Sequence, residues 1–201
     1  MRNRRLLSGI VVLLAFDAVD AAPVVIGGSP VAPPPFWPTS FWGVTPHIDR
    51  AFPFTVPAGG PFLVEQAQVA LYHYANLAGD RATFTINTDS GGVPGTSLAT
   101  FEVTGISTTA QVMTAPPQES VALESGFTYW FVGRTPYGQV NWNLGDNAFG
   151  TAAYRVDSSD WTILLNTNVS AFAILGSPVP EPATLSLFAL GGLAVLRYRR
   201  R

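Results

Sequence analysis

Ala82-Thr83-Phe84-Thr85-Ile86-Asn87, then Thr88-Asp89-Ser90-Gly91-Gly92-Val93-Pro94-Gly95, then Ala99-Thr100-Phe101-Glu102-Val103-Thr104: this stretch decides how the chain folds. In both flanks apolar and polar residues alternate. Alternation at period two places Ala82, Phe84 and Ile86 on one face of an extended strand, and Ala99, Phe101 and Val103 on one face of a second. The segment between them is dense in Gly, Pro, Asp and Ser, which preset or tolerate turn dihedrals. The pattern predicts a hairpin-like connection.

Upstream, residues 64–74 continue the strand period, with Ala67, Val69 and Leu71 sharing a face. Downstream, strand-like segments recur at 121–123, 127–133, 140–144, 152–156, 161–165 and 171–175, each punctuated by turn formers. Phe127-Thr128-Tyr129-Trp130-Phe131-Val132 is apolar on both faces, which marks a central strand covered on both sides. About nine strands and no soluble helix make the expected fold all-β, a two-sheet, jelly-roll-like β-sandwich over residues 51–176. Residues 22–50 are Pro- and Gly-rich and read as a leader, whose Phe36, Trp37, Phe41 and Trp42 are expected to pack back onto the domain edge.

The two ends have another character. Arg2, Arg4 and Arg5 precede an apolar stretch over 6–16, and Val19-Asp20-Ala21 offers a small-residue cleavage site, so residues 1–21 read as a signal peptide for the secretion machinery and signal peptidase. At the other end, over 177–201, Val179-Pro180-Glu181-Pro182 leads into an uncharged run at 183–196 and closes on Arg197, Arg199, Arg200 and Arg201. Two prolines around Glu181 exclude helix there and present the carboxylate on extended backbone. The run spans roughly 21 Å as a helix, short of the ~30 Å hydrocarbon core, and arginine snorkelling and local thinning close part of the gap. By the positive-inside rule the arginines stay cytoplasmic and the body lies outside. A buried C-terminal core helix is the alternative, but it gives no reason for the terminal arginines or the flanking Pro-Glu-Pro.

Seven of the eleven Lys+Arg residues, all Arg, lie in these two ends. The interior keeps Arg50, Arg81, Arg134 and Arg155 against ten carboxylates between Asp49 and Asp160. An acidic body without a basic patch excludes nucleic acid as a partner. With no cysteine, neither disulfides nor thiolate–metal sites contribute.

Chemistry is sparse. His47 and His73 are the only histidines, and neither stands in a Gly-x-Ser-x-Gly or His-Glu-x-x-His motif. The chain is therefore expected not to be an enzyme and to need no cofactor. A hydrolase would need two facing carboxylates from Glu65, Glu102, Glu119, Glu124, Asp146, Asp157 and Asp160, scattered acids that more often solvate strand faces. Two binding features are candidates. Tyr137, Trp142 and Trp161 could stack on sugar rings of an extracellular polysaccharide if they share an exposed face. Asn143, Asp146 and Asn147, within Asn141-Trp142-Asn143-Leu144-Gly145-Asp146-Asn147, carry oxygen-ligand chemistry suited to calcium, although such clusters are far more often plain turns.

The Pro-Glu-Pro, apolar run and arginine cluster together resemble the PEP-CTERM sorting signal of exported bacterial surface proteins. That resemblance implies recognition and cleavage by exosortase, transient residence in the inner membrane through residues 183–196, and delivery to the cell surface or extracellular matrix. It also implies a structural or adhesive role associated with exopolysaccharide and biofilm. The Gly-Gly-Val-Pro-Gly turn, the segment Gly126-Phe127-Thr128-Tyr129-Trp130-Phe131-Val132 and the closing Ala171-Phe172-Ala173-Ile174 are similar to the choice-of-anchor domains, exported β-rich units found with different C-terminal anchors. This second resemblance implies no activity.

Overall fold

The computed structural model describes residues 22–29, 36–74 and 80–179 of the chain. The expected signal peptide, and the sorting tail beyond Val179, lie outside the described residues. Twelve strands follow in order: β1 Val24–Ser29, β2 Phe36–Val44, β3 Ile48–Thr55, β4 Phe62–His73, β5 Arg81–Asp89, β6 Pro94–Thr104, β7 Gln111–Ala115, β8 Ala122–Leu123, β9 Thr128–Arg134, β10 Val140–Val156, β11 Thr162–Ser170 and β12 Phe172–Pro178. The described residues contain no helix.

The hairpin expected over residues 82–104 is β5 and β6, with Phe84 opposite Phe101 and Ile86 opposite Ala99. Its turn closes through Ser90 N–H to the Val93 carbonyl at 2.9 Å and Gly92 N–H to the Asp89 carboxylate at 3.1 Å. Gly91 and Gly92 both adopt positive φ there, which explains the pair of glycines. Strand β9 lies between β3 and β5, and Tyr129, Trp130, Phe131 and Val132 are all buried, as its two-faced apolar pattern requires, whereas Phe127, read as part of the same strand, precedes it and is exposed.

The expectation of two separate sheets needs correction. All strands belong to one antiparallel sheet, ordered β1-β12-β4-β10-β3-β9-β5-β6 along its main path, with β2 and β11 on β10 and β7 and β8 on β4. It curls into an open half-barrel. The curl comes from β10, which the sequence pattern divides into two strands and a loop but which pairs as one strand. Val140 pairs with Val44 and Val156 pairs with Ile48, so both ends of β10 return to the same tight turn, closed by reciprocal Thr45–Ile48 backbone bonds of 3.1 and 3.2 Å. Register shifts between Leu144 and Phe149, and between Gly150 and Ala152, mark where it bends, as bulged strands do.

Bending brings unpaired strands face to face around one core. Phe131 on β9 stacks on Phe172 of β12 with ring centroids 5.0 Å apart, although the two strands share no hydrogen bonds. Trp142 sits at the centre, edge-on to Phe52 at 5.0 Å and to Phe84 at 4.9 Å. A smaller cluster of Ala51, Trp130, Val132 and Ala153, with Trp161 and Ile163 against it, occupies the opposite face of β3, β9 and β10. The Pro-rich segment is more than a leader, since it supplies β1, β2 and the first residues of β3. Beyond β7 the chain shields the exposed edge of β6: Gln118 N–H donates to the Thr100 carbonyl at 2.8 Å, and Thr100 N–H donates to Glu119 at 2.8 Å.

Candidate functional site

Antiparallel order gives the body two poles. The β2–β3 turn, the start of β5, the end of β9 and the end of β10 gather at one, because Ile48 pairs with Val156, Arg50 with Gly133 and Thr83 with Arg134. Thr55 opposite Thr128, Phe62 opposite Leu123 and Thr88 opposite Tyr129 define the other. Arg50, Arg81, Arg134 and Arg155 all fall at the first pole, since each lies at or next to the strand end located there.

At this pole a polar depression of about 300 Å³ is lined by His47, Asp49, Arg134, Thr135, Arg155, Asp157 and neighbouring residues. Asp49 is largely buried, and its Oδ2 accepts from both Nε and a terminal nitrogen of Arg155 at 2.8 Å. Arg134 approaches the same oxygen only to 3.8 Å, beyond hydrogen-bond reach. The Arg155 guanidinium lies over the Trp161 ring at 4.7 Å. His47 Nδ1 meets Asp157 Oδ1 at 2.5 Å across the rim. Asp157 and Ser158 both take positive φ, a sharp reversal that fits the Asp157-Ser158-Ser159-Asp160 turn chemistry.

Arg50 points to the core side of β3. Its guanidinium lies 4.5 Å from the Trp42 ring and 5.1 Å from that of Tyr154, and its Nε reaches the Gly43 carbonyl at 3.4 Å. Burial lowers its pKa from the ordinary arginine value, with Tyr154 opposing. It clips β2 to β3 where the sheet folds over.

The three candidate stacking aromatics are not brought together. Trp142 is fully buried, and its Nε1–H donates to the Ala171 carbonyl at 3.1 Å, so it has no face for a sugar. Its place follows from the pleat, since Trp142 shares the face of Val140, and both join the main core. Tyr137 is half-exposed in the loop after β9, and its hydroxyl donates to Asp80 at 2.6 Å, which raises its pKa. Trp161 is half-buried beneath Arg155. Trp130 is a core aromatic with its Nε1–H on Asp89 at 2.6 Å.

The calcium reading is corrected at Asn143, which is fully buried in β10 rather than set in a loop. The side chains of Asp146 and Asn147 lie outside the described residues. No group of three or more His, Asp or Glu side chains that could hold a metal ion occurs among the described residues. His73 Nδ1 lies 2.9 Å from the Tyr74 carbonyl oxygen, a structural contact at the end of β4.

The tail leaves from the other pole. Pro178, the last residue of β12, pairs with Phe62, and Val179 N–H donates to the Pro61 carbonyl at 2.9 Å. The chain enters at the same pole, with Val24 opposite Gly176. Of the sorting residues, only Val179 is described; Pro180, Glu181, Pro182, Arg197, Arg199, Arg200 and Arg201 lie outside the described residues.

No curated protein matches the chain. Residues 178–201, beginning at the residue where β12 ends, match the family model described as the PEP-CTERM protein-sorting motif, which implies an exported protein, processed by exosortase and anchored transiently in the membrane.

Proposed function

We propose that the chain is a non-catalytic exported protein of the bacterial surface or extracellular matrix, whose β-rich body serves a structural or adhesive role once exosortase has removed the tail. One observation carries the reading: the matched sorting segment begins at Pro178, where the last core strand ends. Cutting near Pro180-Glu181 would therefore spare every strand of the body. The antiparallel, self-covered fold has the character of a scaffold, with its core filled by aromatic side chains rather than by a cleft. The final location at the surface or in the matrix belongs to this proposal.

The test is the intact mass and location of the protein expressed with and without exosortase. A mass running from Ala22 to near Pro180, found outside the inner membrane only with the enzyme, supports the reading. A mass that retains Arg201 in both cells makes the tail a plain anchor and removes the processing step. Replacing Arg199, Arg200 and Arg201 together should impair retention or processing, and unchanged sorting would count against their role.

A further inference from the structure

We propose that the depression at the arginine pole binds the carboxylate of a hydroxylated sugar acid, with Arg134 as the residue that takes the carboxylate. The inference rests on which groups there are already committed. Arg155 is spent on Asp49 through two nitrogens, and its stacking on Trp161 fixes it further. The Arg134 guanidinium has no hydrogen-bond acceptor among the described residues, and its nearest carboxylate oxygen is 3.8 Å away. A planar fork of N–H donors held beside a depression fits a carboxylate bidentately, which an ammonium would not do.

The rest of the lining selects against other classes. Asp49 is paired with arginine and Asp157 with His47, each through one oxygen. Each of those two acids still has a second oxygen able to accept from a ligand hydroxyl. About 300 Å³ is at the lower end of small-molecule sites, the scale of one sugar unit rather than a long apolar ligand. The other lining groups are mostly polar, which favours hydroxyls over hydrocarbon. The site lies at the pole opposite the tail, so an anchored body would present it outward.

The experiment titrates the full chain, in detergent micelles at low ionic strength, with galacturonate, galactose, acetate and polygalacturonate, read by calorimetry. Saturable galacturonate binding is expected, with galactose and acetate each weaker by about tenfold or more, a difference of about 1.4 kcal/mol. Arg134→Gln should weaken galacturonate by at least about tenfold with an unchanged thermal midpoint, whereas Arg81→Gln, which alters an arginine at the same pole that is paired with Glu102 and does not line the depression, should not. If Arg134→Gln lowers the midpoint, Arg134→Lys decides: it keeps the charge but not the fork, and it should still lose the binding. Absence of saturable binding, equal binding of acetate or galactose, or equal loss in Arg81→Gln would overturn the proposal. Equal affinity per unit for polygalacturonate would identify the ligand as a unit within a polymer, and binding of the monomer alone as a free sugar acid. Failure here leaves the sorting assignment intact, because the tail plays no part in it.

Discussion

Trp142 shows what a single residue's neighbours in sequence reveal. It stands among Asn141, Asn143 and Gly145, a setting that invites a surface loop, yet it is in phase with Val140 and joins it in the core. The pleat outweighs the local composition, because both faces are covered here and a one-residue shift would put Asn141 in place of the indole against Phe52 and Phe84. Trp142→Ala should therefore destabilise the fold by about 3–5 kcal/mol, measured by urea unfolding, through the cavity left among Phe52, Phe84, Phe131 and Phe172. A variant that kept wild-type stability would place the ring outside the core. Tyr72 gives a pH-dependent prediction at the same scale. Burial, and next the adjacent Tyr74 hydroxyl, push its pKa well above the usual tyrosine range. A raised folded-state value means that stability is complete below the unfolded pKa of about 10 and declines as pH rises from there towards the folded value. The alkaline fall in thermal midpoint should be smaller in Tyr72→Phe, and an identical fall in both proteins would remove Tyr72 as its cause.

Among elements, the β5–β6 hairpin was legible because every signal for it is local: strict alternation, two glycines at positive φ, and an Asp that caps the turn. Strand β10 was not. Gly145-Asp146-Asn147 has turn composition, and the pairing that carries the chain through it as a strand is set by distant partners, β2 on one arm and β3 with β11 on the other. The arginine-pole depression was hidden for the same reason: the pair 47 and 49, residue 134 and the pair 155 and 157 lie far apart in sequence, and only the non-sequential pairing of β3, β9 and β10 brings them together. A signal did exist, since all four body arginines stand at strand ends that alternate in direction, but using it required the pairing. Close packing of β12 on β4 gives the element-scale prediction. Gly176 lies opposite Val64, and a Cβ there would be 2.5 Å from the Leu63 carbonyl oxygen. Because backbone rather than a flexible side chain is in the way, Gly176→Ala should cost about 1–3 kcal/mol in chemical denaturation. No loss of stability would mean that the two strands can separate there freely.

At the scale of the whole molecule, the end of the fold and the start of the sorting segment coincide. Strand β12 is interior, hydrogen-bonded to β1 on one side and β4 on the other, and it contributes the fully buried Phe172 and Ile174 to the core. Val179 is the last described residue, tied to Pro61 by its backbone N–H. A chain ending at Val179 should therefore unfold with a thermal midpoint within a few degrees of the full chain's, since it keeps every core side chain and ladder bond of the described residues. A chain ending at Ala171 should lose its cooperative transition, because it deletes two large core residues and strips partners from β1 and β4 together, a loss well beyond the margin by which domains are stable. Circular dichroism melts of the two truncations make the comparison. Cooperative folding without β12 would make the body independent of its last strand, and processing could then reach into it; loss of folding on truncation at Val179 would make the tail part of the folding unit. The expected pair of results instead sets the boundary at 179, so that processing beyond it leaves β12 in the sheet and the aromatic core intact.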